Sequence, residues 1–501
     1  MKNPELLSIL QDSFIGYDTH YPTIDGKRGS RVYLDSAAST LMMEPAFNVG
    51  HQFLMHYAST HSDLHYSAKG ASKAFEWAHK RVLEFVGASE EKYCAFFAGN
   101  GATAGFNRMA TSLSKIRTER DLVLVSEMEH HSNDLPHREH SSQVIHIPCL
   151  GEFESYGGFN IDCLQESIQK HGEKVNYVAV TGASNVTGAI IPLEEVAKLV
   201  HSVGAYMIVD ASQMIAHAPV SMDDADLDIL VFSGHKIYAP GSPGVVIAKK
   251  TLLNSITPSE LGGGMVDDVS LAEYVPTNNL PDREEAGTPN IVGAITLGAV
   301  LDLLTRVGMD TIREKEIPLI DYVWKSLTLL KEVTVYGPNP AEVPRTGTIS
   351  FNIKGLDHGL TAAALNDYHN IQLRNGCFCA HPYVRELLKR ELWEIDLDPD
   401  DPNLEALVER KRGMVRASFG LYTTIADLKK LITAVSDLAD RREEIVGLYE
   451  PVGTNGYRHK YFAPDAEDIF DPEAVLAQSI EWSRLQQDVE VNKTTKKCKS
   501  P

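Results

Sequence analysis

The chain has 501 residues, with 47 Lys and Arg against 68 Asp and Glu, a formal charge of −21. Hydrophobic residues at 43% and charged residues at 23% are globular usage rather than the signature of disorder, and at this length two or more domains are expected. An acidic surface repels phosphodiester backbones and disfavours nucleic-acid binding. The longest apolar stretch, 291–304, is too short to span a bilayer and contains Asp302, and MKNPELLSIL lacks a basic region followed by a long apolar run. A cytoplasmic protein with no membrane association is therefore expected. Six cysteines, at 94, 149, 163, 377, 379 and 498, are too sparse for a disulfide scaffold. The C-x-C at 377 and 379 has no second pair or HxxxH partner, so no metal site is expected.

From about 31 to 250, short apolar runs alternate with amphipathic segments. KYCAFFAG, DLVLVSE, QVIHIPC, VNYVAVTG, AYMIVDA, LDILVFS and GVVIAKK predict strands, with helices over 71–86, 103–113 and 193–203. Such alternation predicts an α/β fold with a mostly parallel sheet covered on both faces. The loop before GVVIAKK, with Pro240, Gly241, Pro243 and Gly244, is too short for a helical crossover, so that strand is expected antiparallel to its predecessor.

Beyond Asn290 a smaller α+β unit is expected. It holds a helix from Ile291 into Leu329, strands KEVTVYG and GTISFNI, and helices over 359–368 and 424–440. DLDPDDPN at 396–403 reads as a solvated loop. After a stretch without periodicity, Asp471 as cap and Pro472 in the first turn predict a short helix towards Val489. The basic terminus NKTTKKCKSP reads as a disordered tail. Its Cys498 is followed by Lys, Ser and Pro, unlike a prenylation signal. The expected organisation is a large domain over 31–290, a small domain from 1–30 and 291–445, and an extension over 446–501.

Ligands in open α/β sheets bind beyond the carboxyl ends of the strands. KYCAFFAG is followed by Asn100, Gly101, Ala102 and Thr103 at a helix start, either a phosphate cradle or a plain helix entry. DLVLVSE leads to His130 and His131, either a stacking or proton-shuttling pair or exposed loop histidines. VNYVAVTG leads to Asn185, AYMIVDA ends in Asp210 with Gln213 after it, and LDILVFS delivers Ser233, His235 and Lys236. A carboxylate ending an apolar strand is costly to bury unless a cation meets it. An anion site, a carboxylate and an amine converging on one edge fit pyridoxal 5′-phosphate (PLP). Asp210 would keep its ring nitrogen protonated, Lys236 would form the Schiff base, and Thr103, Ser233 and His235 would supply phosphate donors.

YLDSAAST (33–40), MEHHSN, SNVTG, VDASQ, FSGHK, GTPN and RASFGLYTT (416–424) resemble, in order and spacing, the class V PLP-dependent enzymes, and within them the cysteine desulfurase and selenocysteine lyase branch. The resemblance covers roughly 30–440 and implies a fold-type I enzyme with a seven-stranded sheet. It assigns the Schiff base to Lys236, the ring nitrogen to Asp210 and the phenolic oxygen to Gln213. His130 would stack on the ring, Asn185 would face cofactor and substrate, and Gly101, Ala102, Thr103, Ser233 and His235 would surround the phosphate. Thr288, after Gly287, would reach the phosphate of a neighbouring subunit, which implies a homodimer.

In LRNGCFCA (373–380), Arg374 resembles the clamp on the substrate carboxylate and Cys379 the nucleophile. Cys377 is either a second sulfur carrier or a small residue on a turn. The implied activity removes sulfur from L-cysteine or an analogue through a Cys379 persulfide, releases L-alanine and hands the sulfur to an acceptor, such as a protein. The alternative is a class V aminotransferase or amino-acid lyase without a thiol nucleophile. A non-catalytic scaffold that binds a partner through 445–501 is a third reading, which the Asp210 and Lys236 pair disfavours. GNGATAG departs from the family's usual G-T-T phosphate loop, and the C-terminal extension is no part of the basic enzyme.

Overall fold

The structure, a computed structural model, describes residues 3–60, 62–393, 408 and 410–482. The predicted loop at 396–403, the basic tail with Cys498 and the end of the last predicted helix lie outside the described residues.

All of the predicted strands of the first unit form. They are β1 (Tyr93–Ala98), β2 (Leu122–Ser126), β3 (Gln143–Ile147), β4 (Val175–Thr181), β5 (Tyr206–Asp210), β6 (Ile229–Ser233) and β7 (Gly244–Lys249). They make one seven-stranded sheet in the order β1-β7-β6-β5-β4-β2-β3. Only β7 runs against its neighbours, pairing antiparallel with β6 and β1, as its short loop requires. The apolar runs are continuous because both faces are covered. Met207 and Val209 of β5 enter one core and Ile208 between them enters the opposite one. The covering helices include α1 (Tyr66–Phe85), α2 (Gly101–Leu113) and α3 (Leu193–Ser202).

The long helix expected after Asn290 is two helices, α4 (Ile291–Val307) and α5 (Met309–Thr328), turned by 78°. Gly308 sits between them at φ 87°, a left-handed conformation that only glycine adopts at little cost. Apolar side chains of α4 from Ile291 to Val307 enter the first core, whereas Ile320, Val323 and Leu327 of α5 enter a second. Packing thus changes unit near Gly308 rather than at Asn290, because α4 is apolar on nearly every side and lies against α1. No single helix among the described residues is long and apolar enough to cross a membrane.

The second core lies on a four-stranded antiparallel sheet of β8 (Val333–Tyr336), β9 (Thr348–Ile353), β10 (Arg374–Gly376) and β11 (Met414–Ser418), in the order β8-β9-β11-β10. Helices α6 (His358–His369) and α7 (Ile425–Asp440) cover it. Thr424 caps α7 through a capping box with Asp427. The opening strand Val32–Tyr33 pairs in parallel with Ile371–Gln372, and Asp35 bridges to Ser418, so the YLDS segment itself is held against the second unit. A hairpin of β12 (Tyr449–Val452) and β13 (Gly456–His459) follows. Asp471 accepts from the backbone of Glu473 and Ala474 and caps a helix over 472–482.

The sheet edge that will matter is sterically tight. Gly101 takes φ 65°, and a Cβ on Gly244 would lie 2.2 Å from the Gly101 carbonyl oxygen. Gly244→Ala is expected to destabilise the protein by about 1–3 kcal/mol through overpacking, read as a lower melting temperature; an unchanged melting temperature would contradict this close approach.

Candidate active site

The carboxyl ends of β1, β2, β4, β5 and β6 open into a cavity of about 480 Å³, within the usual range of roughly 300–1,000 Å³ for small-molecule sites. It brings together Gly101, Ala102, Thr103, His130, Asn185, Asp210, Ser233, His235, Lys236, Arg374 and Cys379. A larger cavity of about 600 Å³ beside α1 contains none of these strand-end groups.

The N-terminus of α2, where backbone donors suited to an anion gather, is anchored to the end of β6 through one amide. Ser233 Oγ accepts from the Ala102 amide at 2.7 Å. Thr103 and Ser132 hydroxyls meet at 2.7 Å, and Ser39 Oγ lies 3.3 Å from His235 Nδ1. Asp210 is buried at the end of β5, where Oδ1 accepts from the Ser212 amide at 2.9 Å. Burial pushes its carboxyl up from the usual range, and the charge of Lys236 opposes this. Burial pushes the Lys236 amine down, against the charge of Asp210. A lowered amine pKa favours the uncharged form that attacks a carbonyl.

His130 lines the same cavity. Its Nδ1 accepts from the Ser132 amide at 3.1 Å, which leaves the proton on Nε2. Behind it, the buried Glu129 accepts from Ser126, from Asn133 Nδ2 at 2.6 Å and from the Thr181 amide at 2.6 Å. Burial, resisted by those donors, pushes its carboxyl up to about 8.

The second unit carries the thiol across the cavity. Phe378 and Cys379 have φ 53° and 55°, a left-handed pair costing about 1–2 kcal/mol per residue. Ala380 N donates to Cys377 O at 2.9 Å and closes the turn. The turn is pinned from the first unit, by Asn185 Nδ2 on Phe378 O at 2.6 Å and by the His131 amide on Cys379 O at 2.8 Å. Among the described cysteines Cys379 is the exposed one. Cys377 does not line the cavity, and its thiol donates to Arg412 O at 3.1 Å.

Sequence reasoning missed Arg416. This guanidinium is 3% exposed, lines the cavity and stacks on the Phe378 ring at 4.6 Å. It donates to Asn185 O at 2.9 Å and lies 3.4 Å from Asp35, while its Nε has no partner among the described residues. Arg374 sits at the mouth, 57% exposed and 3.9 Å from Asp35. A charged residue inside the apolar strand Met-Val-Arg-Ala was the available signal. Gln213 does not line the cavity. It is buried behind it, its Nε2 donating to Ala37 O at 2.7 Å. Thr288 is exposed and outside this cavity.

A family model described as aminotransferase class V matches residues 32–431. A cysteine desulfurase of Pectobacterium atrosepticum is 32% identical over 409 residues, spanning 80% of this chain and 92% of that protein. The chain belongs to the class V aminotransferase family, in its cysteine desulfurase branch. Among solved structures, a cysteine desulfurase from Thermococcus onnurineus aligns with TM-score 0.71 and 29% identity over 82% of this chain and 95% of that one. A cysteine desulfurase of Escherichia coli aligns with TM-score 0.70 and 26% identity over 88% and 98%. This class V chain has the fold-type I architecture that its sequence predicts.

Burial pushes His130 down to about 3, and His137 and His235 down to about 4. Each is neutral in the fold but takes a proton in the unfolded chain below about 6.5, so protons favour unfolding. Stability of this class V fold is expected to be full above that value and to fall steadily as pH drops towards 4. His130→Gln should flatten part of the fall in melting temperature; an identical profile would contradict a neutral, buried His130.

Proposed function

We propose that this protein is a PLP-dependent cysteine desulfurase that takes sulfur from L-cysteine onto Cys379 and releases L-alanine. The observation that carries this reading is the exposed thiol of Cys379 across a cavity from the buried pair Lys236 and Asp210.

The residues suit the cofactor. Ser212 Oγ and Asn185 Oδ1 line the cavity, buried and without partners among the described residues, so polar acceptors and donors remain for a ligand. Gly101, Ala102, Thr103, Ser233 and His235 would hold the phosphate, Asp210 the ring nitrogen, and His130 the ring face. Gln213 would act through the Ala37 carbonyl that it holds. When bound, PLP supplies an aldehyde for Lys236 and a ring that accepts electrons released at the substrate Cα.

Arg416, with Arg374 at the mouth, would hold the substrate carboxylate, a task suited to a forked guanidinium. Lys236 would take the proton from Cα and later return one to the carbon that becomes the methyl group of alanine. The Cys379 thiolate attacks the substrate sulfur, so the S–S bond forms as the C–S bond breaks and its electron pair stays with carbon. The persulfide then sits at an exposed position, where the thiol of an acceptor protein has access. Leu54, Met55, Tyr57, Leu64 and Tyr66 are large exposed apolar residues, which supports a homodimer in which Thr288 reaches the neighbour's phosphate site.

With L-cysteine and reductant, the PLP-loaded enzyme is expected to give alanine and sulfide in equal amounts. Cys379→Ala should abolish this and keep the cofactor absorption; full turnover by that variant, or a ketoacid product, would instead mark an aminotransferase or another lyase. Loss of a charge-assisted hydrogen bond costs about 1.5–3 kcal/mol. Arg416→Ala should therefore raise KM for cysteine by roughly 10–100-fold, and an unchanged KM would remove Arg416 from substrate binding.

A further inference from the structure

Hairpin β12–β13 lies beyond residue 431, where the family match ends, and none of its residues lines the cavity. It is nevertheless firmly docked on α6. Tyr449 Oη donates to Asp367 at 3.0 Å and Tyr457 Oη donates to Asp357. The Tyr449 ring meets the buried His459 edge-on at 4.9 Å. At the tip, the Asn455 carbonyl approaches the first turn of α6 so closely that a Cβ on Gly359 would lie 2.2 Å from its oxygen.

That carbonyl also faces Asn375, whose Nδ2 lies 3.4 Å from Asn455 O and 3.1 Å from His358 Nδ1 at the start of α6. Asn375 is the middle residue of β10, a three-residue edge strand paired with β11 alone in its sheet. β10 carries Arg374 and runs through Cys377 into the left-handed pair Phe378 and Cys379. A short edge strand has few backbone bonds to resist local opening, and a left-handed pair persists only where surrounding contacts hold it. From the second unit, the side-chain contact of Asn375 with the hairpin tip and α6 supplies such a hold.

We propose that hairpin β12–β13 is a brace for the segment that carries Cys379, with Asn375 as the positioning residue that couples the two. The importance of the brace for sulfur transfer rests on the reading of Cys379 as nucleophile. The brace itself does not.

The test is hydrogen exchange with mass spectrometry on the PLP-loaded full chain, together with the rate of Cys379 alkylation by iodoacetamide. Gly359→Ala should push the tip away. Tyr449→Phe combined with Tyr457→Phe should loosen the hairpin without adding volume, and serves if the first variant does not fold. In either case exchange over 373–380 should rise by about tenfold or more and alkylation severalfold, while exchange in β4 and β5 stays unchanged. Faster exchange over 449–459 with unchanged exchange over 373–380 would overturn the brace and make the hairpin an independent appendage. Unchanged exchange in both segments would overturn the docking itself. Full turnover by Cys379→Ala would refute the desulfurase reading and leave these exchange results standing, so the two failures are distinguishable.

Discussion

An amine and a carboxylate that share a buried pocket constrain one another. Water normally stabilises both charges, and burial withdraws it, driving the Lys236 amine down and the Asp210 carboxyl up. The charge of each opposes the shift of the other. Replacing such a pair with apolar residues is often neutral or stabilising, so the pair is poor support for the fold itself. The backbone puts them together: β5 and β6 are adjacent and parallel, with Asp210 in register with Val231, so one strand end delivers the acid and the next, through Ser233, the amine.

The rest of the site is arranged around that pair by two units. The sheet unit supplies the α2 N-terminus, His130 and Asn185, while the smaller unit supplies Arg374, Cys379 and Arg416. Asn185 and His131 bond to the carbonyls of Phe378 and Cys379, and Arg416 stacks on Phe378 while donating to Asn185. These bonds tie the strained thiol loop to the sheet. They hold the thiol at a fixed place relative to the amine.

The strands and the pocket were legible because each is written locally. Every apolar run that formed the large sheet is bounded by its own Gly, Pro or Ser, and ligands collect at the carboxyl edge of such sheets. Asp471 was readable as a cap for the same reason. The Gly308 break was not, since apolar residues continue on both sides and a glycine inside a helical pattern is tolerated. In the sequence Arg416 reads only as part of a strand, because its place in the cavity is set by Asp35, Asn185 and Phe378, which are remote in sequence. Gln213 pointed to the right neighbourhood, but its amide is engaged by Ala37. The hairpin's role depends on a contact between Asn375 and Asn455, and neither residue type announces it.

The central claim is that one amine, Lys236, captures the aldehyde beside Asp210. Borohydride reduction of the PLP-loaded protein, followed by peptide mapping, tests it most directly. The account predicts a phosphopyridoxyl group on the peptide containing Lys236 and on no other. The same mass on a different lysine, or no labelled peptide at all, would contradict it.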